Sequence, residues 1–293
     1  DAARTLEDFG ARFPKHPLQA DVPAKLAVVY LEGGQPLKAA AALESLAGSK
    51  KDAVVSREAL WQAAELYEKA NRPQNAATVY ARYVQQFPTP LAPAVEARYH
   101  LVQLAEKHGQ SSERLAWARN LVDAERRGGR ERTDRTRYLG ALCALIAVEP
   151  LAQQYRSVRL VEPLKQSLKL KKASMQKVLD AYGAAADYGV AQVATAATYH
   201  TASVYQDFGK SLLKSQRPKG LKGEELEQYN VLLEEQAYPF EEKAIELHKI
   251  NVRRLREGIY DQWVKKSITS LGQLVPVQYA KAEKSEGVIR VLH

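Results

Sequence analysis

Leu60-Trp61-Gln62-Ala63-Ala64-Glu65-Leu66-Tyr67 leads through Asn71-Arg72 to Ala76, Tyr80, Tyr83 and the pair Phe87-Pro88. On a helix, Ala64 and Tyr67 share one face. The alanine lets a neighbouring helix approach, and the tyrosine fills the space beyond. Asn71-Arg72 supplies a turn. Ala76 then marks the close crossing of a second helix, with Tyr80 one turn further on. Phe87-Pro88 ends that helix, because proline bars its preceding residue from helical geometry. The unit so described is a helical hairpin.

The same landmarks stand 37 residues earlier, as Ala27, Tyr30, Gly33-Gly34, Ala39 and Leu43, and Phe13-Pro14 lies 74 residues before Phe87-Pro88. Several independent landmarks on one period identify a repeat. A third, degenerate unit is predicted from about 95 to 125. Its first helix carries Tyr99, Val102 and Ala105 and ends at Gly109; its second carries Leu115, Ala118, Leu121 and Val122.

Small-x-x-Tyr, then Ala, a large apolar residue and a closing proline resembles the tetratricopeptide repeat (TPR). The departures are a period longer than the family's usual 34 or so residues, and Leu60 or Pro23 where the family favours Trp. In this form the units are similar to the looser repeats of bacterial envelope proteins, in which phrases such as Phe13-Pro14-Lys15-His16-Pro17 recur between hairpins. With Pro14 as a closing proline, Ala2, Leu6 and Phe9 fall on the second helix of an earlier unit. The chain is therefore expected to open in mid-repeat, with further repeats upstream.

Composition agrees with an all-α fold of TPR-like hairpins, an α-solenoid, continuing into a C-terminal helical region. Of 293 residues, 45% are hydrophobic and 26% charged, and helix formers dominate. The only strand-like phrase is 287–292. The most apolar run, 138–148, stops at Glu149-Pro150, short of the roughly 20 residues a membrane span needs, and reads as a buried helix. Cys143 lies inside it as the only cysteine, which precludes an intrachain disulfide or a zinc site made of cysteines; it reads as a small buried apolar residue. Met175 is the only methionine and the chain begins at Asp1, so its N-terminus is expected to come from processing or trimming, compatible with a preceding signal or lipid anchor.

Beyond Gly128-Gly129 the period fades while helical patterning persists. Helices are predicted at about 133–148, 151–170, 174–188, 190–215, 224–236, 239–257 and 260–274, with breaks at Pro150, at Pro218, Gly220 and Gly223, at Pro239 and at Gly258. The expected organisation is TPR-like repeats over 1–127, a helical repeat or bundle region over 128–274, and a poorly ordered tail over 275–293 that could instead pair with a partner's sheet edge. Small residues and tyrosines alternate over 181–208 (Tyr182, Tyr188, Tyr199, Tyr205), a pattern that suits close helix packing and, less readily, a ligand pocket.

The phrases Ala186-Asp187-Tyr188-Gly189-Val190, Leu226-Glu227-Gln228-Tyr229, Glu234 to Ala244 and Tyr260-Asp261-Gln262-Trp263-Val264 resemble the C-terminal region of large bacterial envelope TPR proteins. That family is associated with TonB–ExbB–ExbD-type proton-driven motors and is similar to TPR components of gliding machinery. The resemblance implies a periplasmic scaffold, with cytoplasmic location as the alternative, and envelope motor or outer-membrane proteins as partners.

Chemistry-bearing motifs are absent from the sequence. The six histidines include no pair at helical metal-ligand spacing, Gly209-Lys210-Ser211 lacks the earlier glycine of a phosphate loop, and there is no Gly-x-Ser-x-Gly elbow. No catalytic residue, cofactor or metal is implied, and a non-enzymatic scaffold is expected. In a TPR frame the first helices line a concave groove. There Trp61 is accompanied by Glu58, Glu65 and Glu68, and Val28, Leu31, Tyr99 and Gln103 continue the surface on neighbouring hairpins. Trp61 either anchors a partner or caps the core.

Net charge is +9, and the excess gathers in a basic patch of Arg156, Arg159, Lys165, Lys169, Lys171 and Lys172. Such a patch is either a solvated helix face or a contact for nucleic acid or an anionic envelope surface. The patch lacks the interleaved aromatics that stack on bases, which disfavours nucleic acid as a partner.

Overall fold

The computed structural model describes residues 1–49 and 52–280. Among them every regular element is helical. The strand-like phrase 287–292 lies outside the described residues. Two compact units result, Asp1–Cys143 and Ala144–His293.

The first unit contains α1 (Ala2–Arg12), α2 (Val22–Glu32), α3 (Pro36–Ser49), α4 (Ala53–Lys69), α5 (Pro73–Gln86), α6 (Leu91–Lys107), α7 (Ser111–Arg127) and the start of α8 (Asp134–Ser157). Each helix from α1 to α6 packs on the next in sequence. One turn recurs in all three hairpins. Gly34, Asn71 and Gly109 adopt positive φ (65°, 54° and 69°). The amide after each donates back to the carbonyl five residues earlier: Gln35 to Tyr30, Arg72 to Tyr67 and Gln110 to Ala105, all at 2.8 Å. The amides of Gly34, Asn71 and Gly109 themselves donate to Leu31, Glu68 and Glu106. Both bonds together form a Schellman motif, which satisfies the carbonyls orphaned at a helix end. Pro36 and Pro73 then sit at the first position of α3 and α5, where a missing N–H costs nothing.

From Gly34 to Asn71 is 37 residues; from Asn71 to Gly109 is 38. Helices α4 and α6 are equally long, so the extra residue falls before α6, and Ala105 stands where Tyr30 and Tyr67 do. The alanines at the crossings, Ala27, Ala39, Ala64 and Ala76, are buried together with Tyr30, Leu43, Tyr67 and Tyr80 in one continuous core.

In the second unit α8 runs on to Ser157, followed by α9 (Leu164–Ala186), α10 (Ala191–Leu213), α11 (Glu224–Arg253), α12 (Gln262–Leu274) and the single turn α13 (Pro276–Tyr279). Helix α10 packs against α9, α11 and α12. Two expected breaks are overturned: Pro150 lies inside α8 and Pro239 inside α11. A proline within a helix costs about 3 kcal/mol, yet the buried stripe continues across both. Val148, Ala152 and Tyr155 flank Pro150, Ala237 and Ala244 flank Pro239, and all five are buried. Phe240, beside Pro239, meets Phe208 at 4.5 Å between centroids. Burying these side chains outweighs two lost backbone bonds. The real break falls at 158–163, before Leu164, where Pro163 excludes Glu162 from helical geometry. The expected helices at 151–170 and 174–188 accordingly give way to the end of α8 and to α9.

The tyrosine-rich stretch is packing. Tyr182 of α9 stacks on His200 of α10 at 5.3 Å, and Tyr199 and His200 both meet Trp263 of α12. A buried polar network joins α10, α11 and α12. Asn251 Nδ2 donates to the Thr195 carbonyl at 3.0 Å and to Ser267 Oγ at 2.9 Å, and His248 Nδ1 lies 3.2 Å from Ser267 Oγ. Asp261 caps α12 by accepting the Trp263 and Val264 amides, and also accepts the Thr195 hydroxyl.

Candidate binding surfaces

Repeat spacing aligns the first helices position by position. Trp61 corresponds to Ala24 and Tyr99, Glu65 to Val28 and Gln103, Glu68 to Leu31 and Glu106, and Glu58 to Asp21 and Glu96. The face predicted from sequence is therefore a set of columns across α2, α4 and α6. Val28 and Leu31 stand 55% and 46% exposed on α2, an apolar stretch left open to solvent. Glu58 is exposed on α4.

Trp61 is half-buried in a ring cluster. It meets Tyr80, Tyr83 and His100 edge-on, each at 5.6 Å, and its Nε1–H donates to Glu65 at 2.9 Å. His100 stacks on Tyr80 at 4.7 Å, with Nδ1 3.2 Å from Glu68. Three helices thus meet at one point, and the two acids engage the nitrogens of the two rings. The Tyr80 hydroxyl is buried with no hydrogen-bond partner. Burial, with smaller contributions from Glu68 and Glu65, pushes its pKa upward.

Beside the cluster opens a cleft of about 220 Å³ lined by Glu68, Asn71, Pro73, His100, Gln103 and Lys107, among others. Of the residues singled out in the sequence, Glu68 and Gln103 reach this cleft, and Trp61 and Glu65 border it through His100 and the ring cluster. Tyr99 faces elsewhere. Its hydroxyl, pushed up in pKa mainly by burial, has Cys143, Tyr138 and Arg135 as neighbours. Sequence reading missed His100 and Lys107. The signal was the spacing of His100, Gln103 and Lys107 by three and four residues, which places all three on one helix face.

Residues 58–90 match the tetratricopeptide repeat family. This stretch is similar to a TPR. It covers most of α4, all of α5 and the closing Phe87-Pro88. The hairpins α2–α3 and α6–α7 repeat its turn and packing, so the chain is an all-α TPR-like array. No curated protein matches the chain in sequence. TPRs generally mediate protein–protein interaction, and all-helical repeats of this kind are typically non-enzymatic scaffolds. Among the described residues no helix is long and apolar enough to cross a membrane, and no group of three His, Cys, Asp or Glu could hold a metal ion.

Outside the TPR-like hairpins the six residues of the predicted basic patch divide into two groups. Lys165, Lys169 and Lys172 are exposed along α9. Arg156, Arg159 and Lys171 line a cavity of about 750 Å³, where Lys210 of α10 and Lys214, just past its end, join them. Lys171 is only 2% exposed. Its Nζ donates to the Tyr155 carbonyl at 2.8 Å and sits 4.0 Å above the Tyr155 ring, and burial lowers its pKa.

Proposed function

We propose that the protein is a non-enzymatic scaffold that holds a segment of a partner protein on the face formed by α2, α4 and α6. The observation that carries this reading is the cleft beside Trp61, where Glu68, His100, Gln103 and Lys107 present donors and acceptors next to a rigid aromatic cluster. Aromatic anchors ringed by polar groups are what binding hot spots consist of. Glu58, Glu65 and Glu68 favour a basic segment, and the exposed Val28 and Leu31 suit its apolar side chains. The C-terminal phrases that resemble envelope TPR proteins support a periplasmic location and an envelope motor or outer-membrane partner.

The test compares proteins recovered with the full-length protein and with its Glu65→Lys/Glu68→Lys variant, both purified from the native cell. Loss of specific partners from the variant, with its helicity intact, supports the reading. An unchanged set of partners contradicts it. Alkaline phosphatase fused to the full-length protein, active only outside the cytoplasm, tests the location.

A further inference from the structure

We infer that the cavity between the end of α8, α9 and α10 binds the phosphate ester of a polyol, either free or as a lipid headgroup. Five cations, Arg156, Arg159, Lys171, Lys210 and Lys214, surround one carboxylate, Asp207. Some basic side chains elsewhere find acids: Arg132 pairs with Glu125 and Arg135 with Glu96. Among the described residues no acid forms an ion pair with Arg156, Arg159, Lys210 or Lys214. Gathering like charges around one concave surface is costly in the empty state and focuses a positive potential on it. A multiply charged anion removes that cost.

The site has fixed and adaptable parts. Lys171 is held by the Tyr155 carbonyl and ring, so its ammonium is positioned before any ligand arrives, and that carbonyl occupies one of its three donors. The arginines bring planar forks suited to phosphate oxygens. Asp207 distinguishes this cavity from a plain anion hole. It is half-buried, and a carboxylate there accepts hydrogen bonds from hydroxyls while repelling a bare phosphate. Leu160 and Val161 form an apolar wall on which a carbon skeleton can lie. A volume of about 750 Å³ is several times what a phosphate group needs and falls in the range of small-molecule sites, about 300–1,000 Å³. Phosphate, hydroxyls and a carbon framework together describe a phosphorylated polyol.

The inference is independent of the partner-binding role of α4 and α6. Calorimetry with fructose 1,6-bisphosphate and co-sedimentation with phosphatidylcholine vesicles containing phosphatidylglycerol test it on the whole chain. Two triple variants remove equal charge from exposed positions: Arg156→Gln/Lys210→Gln/Lys214→Gln inside the cavity, and Lys165→Gln/Lys169→Gln/Lys172→Gln outside it. Both should melt no lower than the wild type. Binding of the bisphosphate, weakened about tenfold or more by the cavity triple and under about twofold by the outer triple, supports a free ligand. Vesicle binding displaced by the bisphosphate and lost only in the cavity triple supports a headgroup. No binding of either probe overturns the inference, as does equal weakening by both triples, since that is ordinary surface attraction.

Discussion

The Tyr67 hydroxyl donates to Glu44 at 2.9 Å, and 37 residues earlier the Tyr30 hydroxyl donates to Glu7. The repeat therefore conserves a specific bond as well as a shape. In each case a tyrosine on the first helix of a hairpin reaches an acid on the α-helix before it, α1 for Tyr30 and α3 for Tyr67. Burial, reinforced by the Glu44 carboxylate, pushes the Tyr67 pKa up to about 12, so the phenol stays a donor across the physiological range. The bond ties neighbouring units where a repeat protein depends on nearest-neighbour contacts.

Tyr67→Phe keeps the ring and deletes the bond. Glu44 is partly exposed and can turn to water, so the expected loss is about 1 kcal/mol. Tyr67→Ala empties the inter-hairpin core and is expected to cost about 3–5 kcal/mol. Urea denaturation followed by circular dichroism measures both. A cost for Tyr67→Phe as large as that for Tyr67→Ala would assign the energy to the hydroxyl alone and contradict this division.

Asn71 is the only non-glycine with positive φ among the described residues. Asn71→Ala puts an ordinary side chain in the left-handed region and is expected to lose about 1 kcal/mol, whereas Asn71→Gly should be neutral or slightly stabilising. The order of melting temperatures, Gly at or above Asn and both above Ala, checks this.

His248 is fully buried, and burial lowers its pKa from 6.5 to about 4. Below about pH 6.5 the unfolded chain takes up a proton that the folded chain refuses. Stability contributed by the neutral ring is therefore present above pH 6.5 and is lost as pH falls towards 4, by about 3 kcal/mol in total. His200 shifts in the same direction, again chiefly through burial. Unfolding free energy measured from pH 7.5 to 4.5 should fall, and His248→Gln should flatten part of the fall. An identical slope in the variant would contradict this assignment.

Hairpins were legible in the sequence because their determinants are local and periodic: Ala27 and Ala64 at the crossings, Tyr30 and Tyr67 beyond them, and a glycine or asparagine at each turn. Pro150 and Pro239 misled because the apolar stripe that carries each helix through its proline is completed by residues such as Phe208, on another helix. The cation cavity was half legible. Arg156, Arg159 and Lys171 lie close together in the chain, but Lys210 and Lys214 come from the end of α10 and the residue after it, and no spacing rule joins them to α9. Tyr99 shows the converse, since its place in the column predicts the groove while the cleft beside Trp61 is lined without it.

The proposed role of the first-helix face is tested most directly by a photo-reactive amino acid placed at Gln103 in the full-length protein within its native cell. A discrete adduct with a partner protein at Gln103, absent from the same probe at the outward-facing Thr78 of α5 and abolished by Glu65→Lys/Glu68→Lys, is the expected result. Equal cross-linking at Gln103 and Thr78, or an adduct at Gln103 that survives both reversals, would contradict the account.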